Sequence, residues 1–158
     1  MQFNYIASYT MSLDRQESAG YLTNWAARLF ARAIDRRLKP LGLSSGYLPV
    51  FFALAGGKAL TQKQLAKAAS IEQPTMAATL SRMERDGLVE RAPDPKDKRA
   101  SLISLTPSAR DKIEEVVAAT RAVNGDALSD LSPDETEAYF AALKKIIASL
   151  ERVAGERG

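Results

Sequence analysis

TQKQLAKAASIEQPTMAATLSRMERDGLVERAPDPKDKRASLISLT, from Thr61 to Thr106, is the stretch whose reading decides the fold. Thr61 and Gln64 have capping-box spacing, and Leu65, Ala66 and Ala69 make the buried side of the helix they start. Ala69–Glu72 reads as a tight turn. Pro74 follows where a first helical turn tolerates proline, and a second helix is expected to run to about Asp86, stopped by Gly87. Its inner face is Met76, Leu80 and Met83; its outer face is Thr75, Ala78, Thr79 and Arg82, with nothing large and apolar on it. Leu88–Arg91 and Ser101–Leu105 are short strand candidates. The prolines and charges of the intervening APDPKDKRA predict an exposed hairpin loop longer than a tight turn.

Helix, turn, helix, strand, charged loop, strand is the order of a winged helix-turn-helix. Such a unit places one helix in a DNA groove, where three or four side chains reach base edges. That helix needs a rigid apolar back, short polar residues in its N-terminal half, and bases for phosphate. Gln73, Thr75 and Thr79 are the candidates for base contacts, with Pro74 opening the helix. Arg82 is placed for phosphate, and Lys63 and Lys67 on the preceding helix are further phosphate candidates. On the loop, Lys96, Asp97, Lys98 and Arg99 form the wing. A guanidinium on a hairpin can enter a narrow minor groove, and Asp97 is expected to pair with Arg99 and orient it; a solvated surface pair is the plainer reading.

The flanks read as helices. Ser18 to Lys39 carries an apolar stripe of Leu22, Trp25, Ala26, Leu29, Phe30, Ala33 and Ile34, ended by Pro40 and Gly42. Ser44 or Ser45 can cap a short helix holding Tyr47, Leu48, Val50, Phe51, Phe52 and Leu54, expected to be central to the core. Thr106 and Pro107 start a helix that Gly125 and the 129–132 region should break. Ser132, Pro133, Asp134 and Glu135 start the last helix, which carries Tyr139, Leu143, Ile146, Ile147, Leu150 and Val153. Long terminal helices without an obvious intramolecular partner suggest a homodimer; packing on each other within one chain is the alternative.

The expected fold is thus mostly α with a small β-hairpin. The winged helix-turn-helix, residues 58–106, is flanked by a helical dimerisation region of residues 18–57 and 107–158, and residues 1–17 form an arm whose Phe3, Tyr5 and Tyr9 would pack on something. Met11 offers an internal start site.

Composition narrows the function. The 158 residues are 46% hydrophobic and 26% charged, which is ordinary globular composition. No apolar run approaches the ~18 residues that cross a bilayer, and no secretory signal is visible, so a cytoplasmic address without membrane contact is expected. Cysteine and histidine are absent. That excludes disulfides, Cys- or His-based metal sites, and histidine or Cys–His catalysis, so no metal, no cofactor and no enzyme is expected. The net charge is +3. Residues 58–99 hold nine bases and six acids, whereas residues 108–158 hold seven bases and ten acids. A basic middle suits phosphate, although charge alone fits a solvated surface equally well.

The run IEQPTMAATLSRMERDGLVER, followed by DPKDKR and SLISLT, resembles the MarR (multiple antibiotic resistance regulator) family, and the likeness extends over roughly residues 20–152. The resemblance implies a homodimeric winged-helix transcription factor, held together by its terminal helices. Such a factor commonly represses neighbouring genes and leaves a pseudo-palindromic operator when a small, often aromatic and anionic, ligand binds. It places Pro74, Thr75, Thr79 and Arg82 on the recognition helix and Asp97 and Arg99 on the wing. One departure is Ala78, where many relatives carry a polar or basic side chain; alanine can read only a thymine methyl or nothing. Family ligands sit where terminal helices meet the winged domain. Trp25, Arg28, Arg32, Tyr47 and Phe51 are the candidates here for an aromatic pocket with a cation, against plain core packing of the aromatics. A constitutive DNA-binding or protein-docking module is the competing reading.

Overall fold

The computed structural model describes residues 14–155. The expected arm therefore lies almost wholly outside the described residues, Phe3, Tyr5, Tyr9 and Met11 included. The chain divides into two compact units, Met1–Arg110 and Asp111–Gly158.

In the first unit, α1 (Ala19–Leu38) begins where the Ser18 hydroxyl accepts the Tyr21 amide. It ends in a short 3-10 turn, Lys39–Leu41, with Gly42 left-handed at φ 69°. Ser44 caps a second 3-10 turn, Ser45–Tyr47, which leads into α2 (Leu48–Leu54). The Asp35 carboxylate accepts the Ser45 amide at 2.6 Å and so ties α1 to that turn. α2 buries Leu48, Val50, Phe51 and Leu54. Phe52 does not join them: it is 62% exposed, because consecutive helical positions turn by about 100° and Phe52 falls outside the arc that Leu48, Phe51 and Leu54 define.

β1 (Leu60–Thr61) runs into α3 (Gln62–Ala69) through the expected capping box: the Thr61 hydroxyl accepts the Gln64 amide and the Gln64 side chain accepts the Thr61 amide. After a turn with Ser70 left-handed at φ 51° comes α4 (Gln73–Arg85). β2 (Val89–Pro93) and β3 (Ser101–Leu105) form the antiparallel hairpin. The sheet is three-stranded, in the order β1-β3-β2, with Leu60 opposite Ile103 and Val89 opposite Leu105. A two-residue strand directly before a helix cap leaves no period for a sequence reading to find.

The core of this unit is Leu38, Val50, Leu54, Leu65, Met76, Leu80, Met83 and Ile103, all at most 1% exposed. It lies beneath α4 and fixes that helix from behind. Thr106 locks the end of the sheet: its hydroxyl donates to the Gly87 carbonyl at 2.7 Å and accepts the Ala109 amide, and its own amide donates to the Leu88 carbonyl.

Thr106 starts α5 (Pro107–Asp111). In the second unit, α6 (Ile113–Ala127) buries Val116, Ala119 and Val123. It continues through Gly125, contrary to expectation, since a glycine inside a helix costs only about 1 kcal/mol relative to alanine. The break falls at residues 128–132. α7 (Pro133–Gly155) starts with the expected reciprocal cap between Ser132 and Glu135. None of its residues is buried, and Tyr139, Phe140, Ile146, Ile147, Leu150 and Val153 are exposed. No helix among the described residues is long and apolar enough to cross a membrane.

Candidate nucleic-acid interface

α4 stands on the core through Met76, Thr79, Leu80 and Met83. Exposed on it are Gln73, Pro74, Thr75, Ala78, Ser81, Arg82, Glu84 and Arg85. At about 100° per residue, the middle of that outer face runs through Pro74, Ala78, Ser81 and Arg85, with Thr75 and Arg82 along one flank.

Thr79 departs from the expected placement. It is 5% exposed rather than part of the outer stripe. Around the helix it lies between Thr75 and Met83, on the edge of the core, where a short hydroxyl side chain can be covered. The Arg82 guanidinium donates to its Oγ1 at 3.4 Å, a long bond that aims the arginine along the helix. Gln73, Pro74, Thr75 and Arg82 are exposed as expected, as are Lys63 and Lys67 on α3.

Several charges around α4 neutralise one another. Arg85 pairs with Asp86 at 3.2 Å, and Arg91 of β2 pairs with Glu84 at 3.2 Å. The second pair ties the wing's first strand to α4. Among the described residues no ion pair within 4 Å engages Arg82, whose guanidinium bonds Thr79 and acts at longer range on Asp86.

The wing loop is built by its aspartates. Asp94 accepts the Lys96 amide at 2.8 Å, and Asp97 accepts the Arg99 amide at 2.9 Å. Asp97 was expected to pair with the Arg99 side chain; it holds the backbone instead, because an aspartate side chain reaches the amide two residues on more readily than a flexible guanidinium. Asp94 and Ala100 close the loop at 3.1 Å. Lys96, Lys98 and Arg99 are all exposed on this frame.

One contact had no signal in the sequence. The Tyr47 hydroxyl donates to Asp86 Oδ2 at 2.8 Å, across 39 positions. Asp86 closes the C-terminus of α4, so the bond fastens the end of that helix to the turn before α2. The Tyr47 bond and then the Arg85 guanidinium hold the Asp86 carboxyl below its ordinary range, and burial, then Asp86, pushes the Tyr47 hydroxyl up. Ser81 and Arg85, also absent from the expected reading surface, follow from the burial pattern of α4 alone.

The five ligand-pocket candidates occupy two environments. Trp25, half exposed, meets Tyr21 edge-on at 6.2 Å and carries the Arg15 guanidinium 5.8 Å from its ring centre. Arg28 donates to Asn24 at 2.6 Å, and Arg32 is exposed. Tyr47 and Phe51 are buried in the core of the first unit, Tyr47 with its hydroxyl engaged by Asp86. Among the described residues no cluster of three or more acidic, His or Cys side chains is placed to hold a metal ion.

The MarR family model matches residues 41–100, which spans α2 to the wing. The chain is 33% identical over 116 residues to the uncharacterized HTH-type transcriptional regulator YwoH of Bacillus subtilis strain 168, covering 73% of this chain and 84% of that protein. A crystal structure of a probable transcriptional regulator from Pseudomonas aeruginosa superposes with a TM-score of 0.77 at 26% identity, over 84% of this chain and 99% of that one. A MarR mutant from E. coli in complex with operator DNA gives 0.74 at 25% identity, over 80% and 91%. These relatives are transcriptional regulators, not enzymes. With an exposed helix and wing on one core and this set of relatives, the chain belongs to the MarR family.

Proposed function

We propose that this chain is a sequence-specific DNA-binding transcriptional regulator. In this reading residues 58–106 bind the duplex, and residues 18–57 with 107–158 build a homodimer. The single observation that carries it is α4: a helix fixed from behind by Met76, Leu80 and Met83, whose outward side holds small, polar and charged groups, its Glu84 paired with Arg91, beside a basic loop. The DNA complex of the E. coli relative supports the same use of the fold. Thr75 and Gln73 contact bases, Arg82, Lys63 and Lys67 contact phosphate, and Arg99 enters the minor groove while Lys96 and Lys98 flank it. The exposed apolar side chains of α1 and α7 supply the dimer contact. The regulator works in the cytoplasm as a repressor of a pseudo-palindromic operator, and an aromatic anionic effector held by Trp25 with Arg28 or Arg32 releases it.

A constitutive DNA-binding protein is the second reading. It is favoured by the burial of Tyr47 and Phe51, which takes two of the five pocket candidates out of reach. Titration of the protein with the duplex upstream of its own coding sequence, with and without aromatic carboxylates, separates the two. The first reading expects salt-dependent binding that a carboxylate weakens, and expects Arg28→Ala or Arg32→Ala to abolish that weakening. Binding that no carboxylate shifts establishes the constitutive reading; binding indifferent to salt contradicts both.

A further inference from the structure

The middle of the exposed face of α4 is unusual for a helix that reads bases. Its first two positions, Pro74 and Ala78, have no side-chain donor or acceptor, and Thr75 beside them carries one methyl and one hydroxyl. Thr79, the other hydroxyl of this half, is buried against the core. The cations lie a turn or more further on, at Arg82 and Arg85, and Asp86 already engages Arg85. The N-terminal half of the reading face is therefore a small apolar step between Gln73 and Arg82. Its low profile also lets the helix backbone approach the groove floor. In the major groove only one base-pair feature matches such a step without a hydrogen bond, the C5-methyl of thymine.

We propose that Ala78, flanked by Pro74 and the Thr75 methyl, is a specificity-determining residue that reads a thymine methyl in each half-site. The proposal rests on α4 being the reading helix. Arg82 and the wing then supply affinity, and thymine at one fixed position supplies discrimination. A guanine contact at that position is absent, since Ala78 offers no donor to its O6 or N7.

The test uses the full-length protein and the duplex it selects from a random pool. Each thymine of a half-site is replaced in turn by deoxyuridine, which keeps the pairing and removes only the methyl. The expected result is a loss of about fourfold at one thymine per half-site, the worth of one desolvated methyl group. The ratio between thymine and deoxyuridine duplexes should fall toward one in Ala78→Gly, which removes the contacting carbon and affects both duplexes equally in any other respect, while Arg82→Ala weakens both duplexes alike. A half-site in which deoxyuridine costs nothing anywhere, with sequence-specific binding intact, overturns the methyl reading and leaves DNA binding standing. A loss that persists undiminished in Ala78→Gly assigns the methyl to another residue and also overturns it. A pool that yields no motif overturns the reading of α4 itself.

Discussion

α4 and α7 are both amphipathic helices by sequence, and the structure treats their apolar residues in opposite ways. α4 buries Met76, Leu80 and Met83 and shows water only small, polar and charged side chains. α7 buries nothing and shows water Tyr139, Phe140, Ile146, Ile147, Leu150 and Val153. The difference separates two kinds of partner. Hydrated, anionic DNA suits the first surface, because hydroxyls, amides and guanidinium groups replace water at phosphates and base edges. The second gains only from apolar contact, roughly 1.5–3 kcal/mol for each Leu or Ile side chain taken out of water. A second copy of the chain brings the same stripe, so two α7 helices can cover what neither covers alone.

The sharpest way to break this contrast is to charge α7. Ile147→Glu with Leu150→Glu places carboxylates where the dimer seam would close, and an uncompensated buried charge costs about 3–5 kcal/mol. Sedimentation equilibrium should show dimerisation weakened by more than about a hundredfold; an unchanged dimer would move the interface off α7. On the α4 side, Arg82→Ala removes one phosphate contact from each protomer, so it should lower dimer affinity by about a hundredfold for every duplex, the scale of two hydrogen bonds to a charged group, and reduce the salt slope by about two. Fluorescence anisotropy at several salt concentrations reads both numbers, and an effect confined to one sequence would make Arg82 a base reader.

The wing refines the contrast further. Arg99→Ala should weaken binding several-fold more than Lys98→Ala, and most on A·T-rich flanks, where the narrow minor groove concentrates negative potential. Equal losses would reduce Arg99 to one more phosphate charge. The smallest effect expected is for Tyr47→Phe, which removes the bond to Asp86 and keeps the ring in the core. Because that bond lowers the Asp86 pKa, its contribution is complete above the ordinary carboxylate range and is lost as pH falls through the lowered folded value. Thermal melts should therefore show the variant a few degrees below wild type near neutral pH and converging with it in acid. A gap that stays constant at low pH would mean the hydroxyl acts by packing alone.

Much of the fold was legible in the sequence because it is written in local chemistry. The Thr61–Gln64 and Ser132–Glu135 caps, the stop at Gly87 and the Met76–Leu80–Met83 spacing each act within a few residues. What escaped depends on partners far along the chain or on how far burial extends around a helix. β1 exists only because β3 lies beside it, and Tyr47 meets Asp86 only once the core has formed. Thr79 lies near the boundary between two faces, where spacing alone assigns either side and packing decides. Asp97 shows the same limit at short range: its pairing residue was identified correctly, but the atom it holds is the amide and not the guanidinium.

In the proposed dimer, two copies of α4 are held at a set spacing by helices that need each other. Selection of duplexes by the full-length protein from a random DNA pool tests this most directly. The predicted result is a motif with two-fold symmetry, its half-sites about one helical turn apart. A single motif without symmetry, or no motif at all, would contradict it.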